Sequence, residues 1–143
     1  MTITAILLPV FVQVALIFVL MIGMGRSRIG HLRRGDVAIG EIALNNGSWP
    51  TRTQQISNAY GNQFELPVLF LILVALAIIT RKADLVFVVM SWIFVVTRLV
   101  HAFVHVTSNK VQQRFMVFLI GALILALMWI MFAMRIIAAE AGI

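Results

Sequence analysis

Four long apolar runs, at residues 4–24, 58–79, 85–106 and 115–137, constrain this chain more than any other feature. A helix rises about 1.5 Å per residue, so about 20 residues cross a hydrocarbon core of about 30 Å, and each run meets that length. The composition agrees. Of 143 residues, 62% are hydrophobic and 11% charged, with a mean hydropathy of +1.06, whereas roughly a quarter of a soluble domain is charged. The expected fold is all-α, an integral membrane four-helix bundle forming one domain over residues 1–143, with a long cytoplasmic loop at 25–57. No positive charge precedes the first run, which ends at Arg26 and Arg28 instead of a small-residue cleavage site, so it reads as a retained span and not as a signal peptide. The chain has no cysteine, so any thiol chemistry must use a thiol that belongs to a ligand.

A net charge of +6 would suggest nucleic acid in a soluble protein, but here the cations cluster between apolar runs and set orientation, so no nucleic-acid partner is expected. Arg26, Arg28, Arg33, Arg34 and Arg52 lie between the first two runs and Lys110 and Arg114 between the last two, against Arg81, Lys82 and Arg135 on the other side. This asymmetry places both of those connections in the cytoplasm and both termini outside it, in an inner (cytoplasmic-type) membrane crossed several times. Within the first connection LNNGSWP is a turn cluster, Pro50 and Thr51 open a helix, and Val37, Ile39, Ile42 and Leu44 give residues 36–44 an apolar face for the membrane surface.

The spans also contain polar groups, and an ionisable group at a helix centre costs roughly 2.5–3.5 kcal/mol to insert. Asn58, Asn62 and Glu65 are spaced i, i+4, i+7, and Arg98, His101 and His105 are spaced i, i+3, i+7. At about 100° per residue each set keeps to one helix face within about 60°. Glu65 and Arg98 sit at matching depth, about 10 Å below the same interface, which leads to the expectation of a buried ion pair flanked by the asparagines and histidines. Intramembrane ionisable residues are functional-site candidates by default, although hydrogen bonds there can also simply join helices. Gln13 is expected to be such an interhelical hydrogen bonder, Pro67 to kink the second span, and Gly61 to let a neighbouring helix approach. His101 and His105 are i, i+4 but lack a third ligand, so no metal centre is read from the sequence.

The string NQFELP at the start of the second span, RLVHAFVH in the third and a basic turn before the fourth resemble the MAPEG proteins, membrane-associated proteins in eicosanoid and glutathione metabolism, in a bacterial-type form. The resemblance implies a homotrimer holding glutathione, as co-substrate, between subunits at the cytoplasmic side. It matches Asn62, Glu65 and Pro67 to the family's second-span pattern, Arg98 to its third-span arginine and His101 to the residue one turn later. His105 stands where the glutathione enzymes usually have tyrosine, and Asn58 where glutathione-binding members commonly have arginine. Arg114 is the candidate for holding the thiolate, with Gln112 and Gln113 as alternatives. The implied site thus has Arg114 and His105 as catalytic residues and Asn58, Asn62, Glu65, Arg98 and His101 as glutathione contacts.

The implied activity is a membrane-bound, glutathione-dependent transferase or peroxidase acting on lipophilic small-molecule electrophiles that arrive through the membrane lipid. A cation beside sulfur favours the thiolate, the nucleophilic form. Two other readings stand beside this one. Asn58 and His105 favour a non-catalytic trimeric scaffold that binds a lipid or a partner membrane protein, and the Glu and His stripe would also suit a proton relay in a small transporter.

Overall fold

The computed structural model describes residues 1–43 and 45–142. Helix α1 (Ile3–Arg34) starts where the Thr2 hydroxyl accepts a hydrogen bond from the Ala5 N–H. It continues well past residue 24, because nothing interrupts the ladder between there and Gly35, which takes the left-handed conformation (φ 72°) and donates to the His31 and Leu32 carbonyls. A four-residue turn, α2 (Ile39–Ile42), follows. Ile39 is exposed while Val37 and Ile42 are half-buried; Leu44, the fourth residue of the expected apolar face, lies outside the described residues.

The second span is discontinuous. Pro50 caps α3 (Thr51–Gly61), a 3-10 turn covers Asn62–Phe64, and α4 (Leu66–Ile79) begins after Glu65, whose backbone (φ −100°, ψ −106°) is not helical. Pro67 has no N–H to continue the ladder and sits in the first turn of α4, where proline is tolerated. Helices α5 (Leu85–Val106) and α6 (Val111–Glu140) complete the bundle. Four continuous or broken helices are therefore long and apolar enough to cross a membrane, and no strand occurs among the described residues.

The most extensive packing joins α5 to α6, and α1 lies against α3 and α5. Phe70, Leu73, Val74 and Ala77 of α4, Phe94 and Val95 of α5, and Leu125, Met128 and Phe132 of α6 make the main core. At the opposite end, which carries the α1–α3 and α5–α6 connections and most of the cations, a smaller cluster of Leu20, Ala59 and Ala102 lies beneath the polar residues. Most other large apolar side chains point outward, as a bilayer permits.

Gly121 lets α6 approach α5. A Cβ there would lie 2.7 Å from the Thr97 hydroxyl oxygen, which is buried and donates to the Phe94 carbonyl. Gly121→Ala is expected to cost about 1–3 kcal/mol through overpacking, read as a lower Tm of the detergent-solubilised protein. At the less basic end, Asp84 caps α5 by accepting from the Phe87 N–H (2.9 Å) and takes a two-pronged contact from Arg135 (2.9 and 2.6 Å). Partial burial works against the Asp84 carboxylate, but the Phe87 N–H and the Arg135 guanidinium outweigh it and hold its pKa below the ordinary 3.8. A depressed folded-state pKa means the stabilisation is complete above the unfolded value and is lost as pH falls through the folded one. Asp84→Asn should therefore lower stability by about 1 kcal/mol at neutral pH, and its deficit relative to wild type should close below pH 4, as followed by thermal melts across pH.

Candidate functional site

At the basic end the spans part around a cleft of about 770 Å³, within the size range of small-molecule sites. Its walls come from four helices. Arg28 reaches in from α1, Ser57, Asn58 and Tyr60 from α3, His105 from α5 and Arg114 from α6, while Asn62 and Glu65 occupy the break between α3 and α4.

The break turns polar groups toward this space, and one of its own side chains bonds a carbonyl near the end of α3. Gln63, buried in the 3-10 turn, donates to the Ala59 carbonyl (3.0 Å) and accepts from the buried Gln13 amide of α1 (3.0 Å). Gln13 thus makes the interhelical hydrogen bond expected of it. Asn62 then faces α5, its amide nitrogen 3.3 Å from His105 Nδ1. An amide nitrogen only donates, so Nδ1 accepts, and the neutral ring carries its proton on Nε2. Arg114 is fixed by donating to the Asn109 side chain (2.6 Å). Arg28 donates to the Ser57 hydroxyl (3.1 Å), and its guanidinium carbon sits 5.2 Å from the centre of the Trp49 ring. Trp49 anchors the turn cluster, and Gln54 donates to the Gly47 and Trp49 carbonyls, so Gly47 and Gln54 close one rim of the cleft.

The expected Glu65–Arg98 ion pair is not formed within the chain. The ion pairs among the described residues are His31–Asp36, Arg34–Asp36 and Asp84–Arg135. Glu65 is exposed in the cleft, whereas Arg98 is 1% exposed and none of its three guanidinium nitrogens has a hydrogen-bond partner. The Arg98 guanidinium instead faces the rings of Phe118 (5.5 Å) and Phe94 (6.0 Å). Matching depth did not bring the two charges together, because the break after Gly61 re-aims Glu65 away from the face that an unbroken helix would give it. His101 is also outside the cleft and lines a smaller adjoining pocket. Gly61 faces the cleft too, with nothing within 4 Å of a Cβ added to it, so its expected role in helix approach is not seen within the chain. Gln112 and Gln113 lie on an outer groove between α5 and α6, away from Arg114's contacts.

Asn58, Asn62, Glu65, His105 and Arg114 are thus brought together, while Arg98 and His101 are set behind them. Arg28 and Tyr60 were not singled out from the sequence. Arg28 was one cation among several, and the chain's single tyrosine had no motif around it.

The MAPEG family profile matches residues 6–134. The chain belongs to the MAPEG family. It is therefore a multi-pass membrane protein of the glutathione and eicosanoid metabolism type. It matches no curated protein and no solved structure.

The separation of Glu65 from Arg98 has a measurable consequence. Exchanging the charges, Glu65→Arg with Arg98→Glu, should not restore the stability lost in Arg98→Glu alone, as judged by Tm and by the yield of folded protein. A double variant as stable as wild type would show that the two groups do pair.

Proposed function

We propose that the cleft binds glutathione and that the protein is a membrane-bound glutathione-dependent transferase or peroxidase acting on lipophilic electrophiles. The observation that carries this reading is the convergence of two guanidinium groups, Arg28 and Arg114, and one carboxylate, Glu65, on a single hydrogen-bonding cleft. Glutathione offers the complementary set: two carboxylates, an ammonium group, amide donors and a thiol. Family membership supports the choice of ligand.

In this reading Arg28 takes a ligand carboxylate. Ser57, to which it is bonded, is the neighbour of Asn58, so α1 supplies a cation close to the position where glutathione-binding members commonly carry arginine on the second span. Glu65 accepts from the ligand's ammonium or amide groups, and charge-assisted bonds of this kind are worth about 1.5–3 kcal/mol. Arg114 favours loss of the thiol proton to water and holds the resulting thiolate. His105, with Asn62 on Nδ1, presents Nε2–H as the donor usually supplied by tyrosine. In conjugation, the sulfur electron pair forms a carbon–sulfur bond and the electrophile's leaving group departs with its bonding pair. In reduction of a hydroperoxide, sulfur attacks the terminal oxygen and the O–O bond breaks to release an alcohol. The resulting sulfenic acid condenses with a second glutathione to give disulfide and water.

The charge asymmetry of the connections supports a cytoplasmic position for the cleft, with both termini outside, in an inner membrane. The family supports a homotrimer. Asn58 and His105 sustain one competing reading, a non-catalytic trimeric scaffold for a lipid or a partner membrane protein.

Millimolar glutathione should raise the Tm of the purified protein, because a ligand that binds only the folded state stabilises it. Arg28→Ala should raise KM for glutathione by roughly tenfold to a hundredfold. Arg114→Ala should lower kcat by at least about tenfold while keeping the thermal shift. Absence of any shift, together with equal background turnover in wild type and Arg114→Ala, would leave the scaffold.

A further inference from the structure

At the end of the bundle opposite the cleft, a basic pocket of about 380 Å³ opens between the α4–α5 turn and α6, lined by Arg81, Lys82, Asp84 and Arg135. Arg81 also lines an adjoining pocket of about 320 Å³ whose walls include Ile3, Ile6, Ala77 and Ile78. One guanidinium therefore stands where a basic space meets an apolar one. We propose that the two spaces together hold an anionic phospholipid, its phosphate on Arg81 and Lys82 and the start of an acyl chain along Ile3, Ile6 and Ile78. None of these residues lines the cleft, so the site stands apart from the glutathione reading.

Charge is the first ground. Arg135 is already matched, donating twice to the Asp84 carboxylate (2.9 and 2.6 Å) and once to the Lys82 carbonyl (3.2 Å). Among the described residues neither Arg81 nor Lys82 pairs with a carboxylate, so the lining carries two cations in excess. Both follow the end of α4, at the depth of lipid phosphates, where Lys and Arg attract anionic lipid. A zwitterionic lipid brings an ammonium of its own, and the carboxylate of the lining is taken by Arg135.

The backbone at Arg81 is the second ground. The Arg81 N–H donates to the Ile78 carbonyl (3.1 Å) and the Lys82 N–H to the Ala77 carbonyl (2.9 Å), a helix cap that puts Arg81 in the left-handed region at φ 56°. Glycine is the default there, because a Cβ is strained in that conformation. A cation near a helix C-terminus is favoured by the helix dipole, but Lys82 supplies one without a positive φ. Arginine at the strained position is accounted for by its side chain, which borders both pockets. Shape is the third ground. A free inorganic anion would use only the basic space and a hydrocarbon only the apolar one, whereas an amphiphile with phosphate next to hydrocarbon uses both. Its alkyl part would meet Ile3, which is 58% exposed on the outer surface of the bundle.

The test uses the full chain in neutral detergent, with phosphatidylglycerol or phosphatidylcholine added at equal mole fraction. Phosphatidylglycerol should raise the Tm of wild type at least about twice as far as phosphatidylcholine does, as a ligand of the folded state alone would. Millimolar inorganic phosphate at constant ionic strength should give no shift. Arg81→Gly should remove at least about half of the phosphatidylglycerol excess while raising the lipid-free Tm, because the strain is relieved. Lys82→Gln, which leaves the backbone unaltered, should remove a similar share. Arg33→Gln, which removes an exposed cation at the other end, should keep the whole excess. The proposal is overturned if the two lipids act alike on wild type, if Arg81→Gly and Lys82→Gln both keep the excess, or if Arg33→Gln loses as much as they do. A lower lipid-free Tm in Arg81→Gly would make Arg81 a structural residue, and a shift with inorganic phosphate equal to that with phosphatidylglycerol would make the site one for a simple anion; either result overturns the proposal as well.

Discussion

The backbone of a membrane span has no water to complete a broken hydrogen-bond ladder, so every break must be satisfied by the protein itself. The second span breaks between Gly61 and Leu66, and the arrangement of the site depends on how that break is stabilised. Gln63 turns its side chain back onto the Ala59 carbonyl and is held in turn by Gln13, joining the break to α1 through buried amides. Residues that an unbroken helix would present to a neighbouring span are redirected. Asn62 meets His105, and Glu65 opens toward the basic end. The polar cleft is therefore a consequence of the helix break, and Pro67 keeps α4 from continuing backward through it.

Arg98 shows the same solvent constraint unmet within one copy of the chain. Cation–π contacts are worth about 0.5–2 kcal/mol each, less than the several kcal/mol that desolvating an ion costs even in a protein that relaxes around it. Phe94 and Phe118 offset part of that, and no hydrogen bond contributes the rest. Such a group matters through its field. It lies behind Phe118 without lining either cavity, as a fixed positive charge in a medium of low dielectric.

Much of this was legible in the sequence, because the bilayer limits both length and polarity. The four apolar runs match the four helices long enough to span, and Asn58, Asn62, Glu65 and His105, singled out by spacing, line one cleft with Arg114, singled out by the family resemblance, whereas Arg98 and His101, read into the same cleft, do not line it. The Glu65–Arg98 pair failed because depth along two helices says nothing about azimuth once one of them is interrupted. Periodicity over NQFELP assumed an unbroken helix, although Pro67 had already announced the interruption. Arg28 was hidden for a different reason. Cations just beyond a span look alike in sequence, and only the prolongation of α1 to Arg34 brings this one against Ser57 and Trp49. Tyr60 and the Gly47–Trp49 turn enter by tertiary packing, which one-dimensional spacing does not carry.

In the proposed glutathione reading, Arg114 is the group that would set a reactive site apart from a merely adhesive one. A scaffold that clasps a lipid or another helix gains little from a guanidinium shared between a wet, mixed-charge cleft and a small aromatic pocket, since the apolar outer faces already provide contact area. A bimolecular reaction between a charged peptide and a hydrophobic electrophile requires such a boundary: each reactant needs a compartment of its own polarity, and their reacting atoms must meet where the two touch. Holding both partners there replaces a chance encounter with a fixed geometry, the largest entropic advantage open to a catalyst. In the proposed reading the cation at the contact would favour the thiolate. Asn109, by fixing Arg114 at 2.6 Å, limits how far that cation can swing away from the boundary.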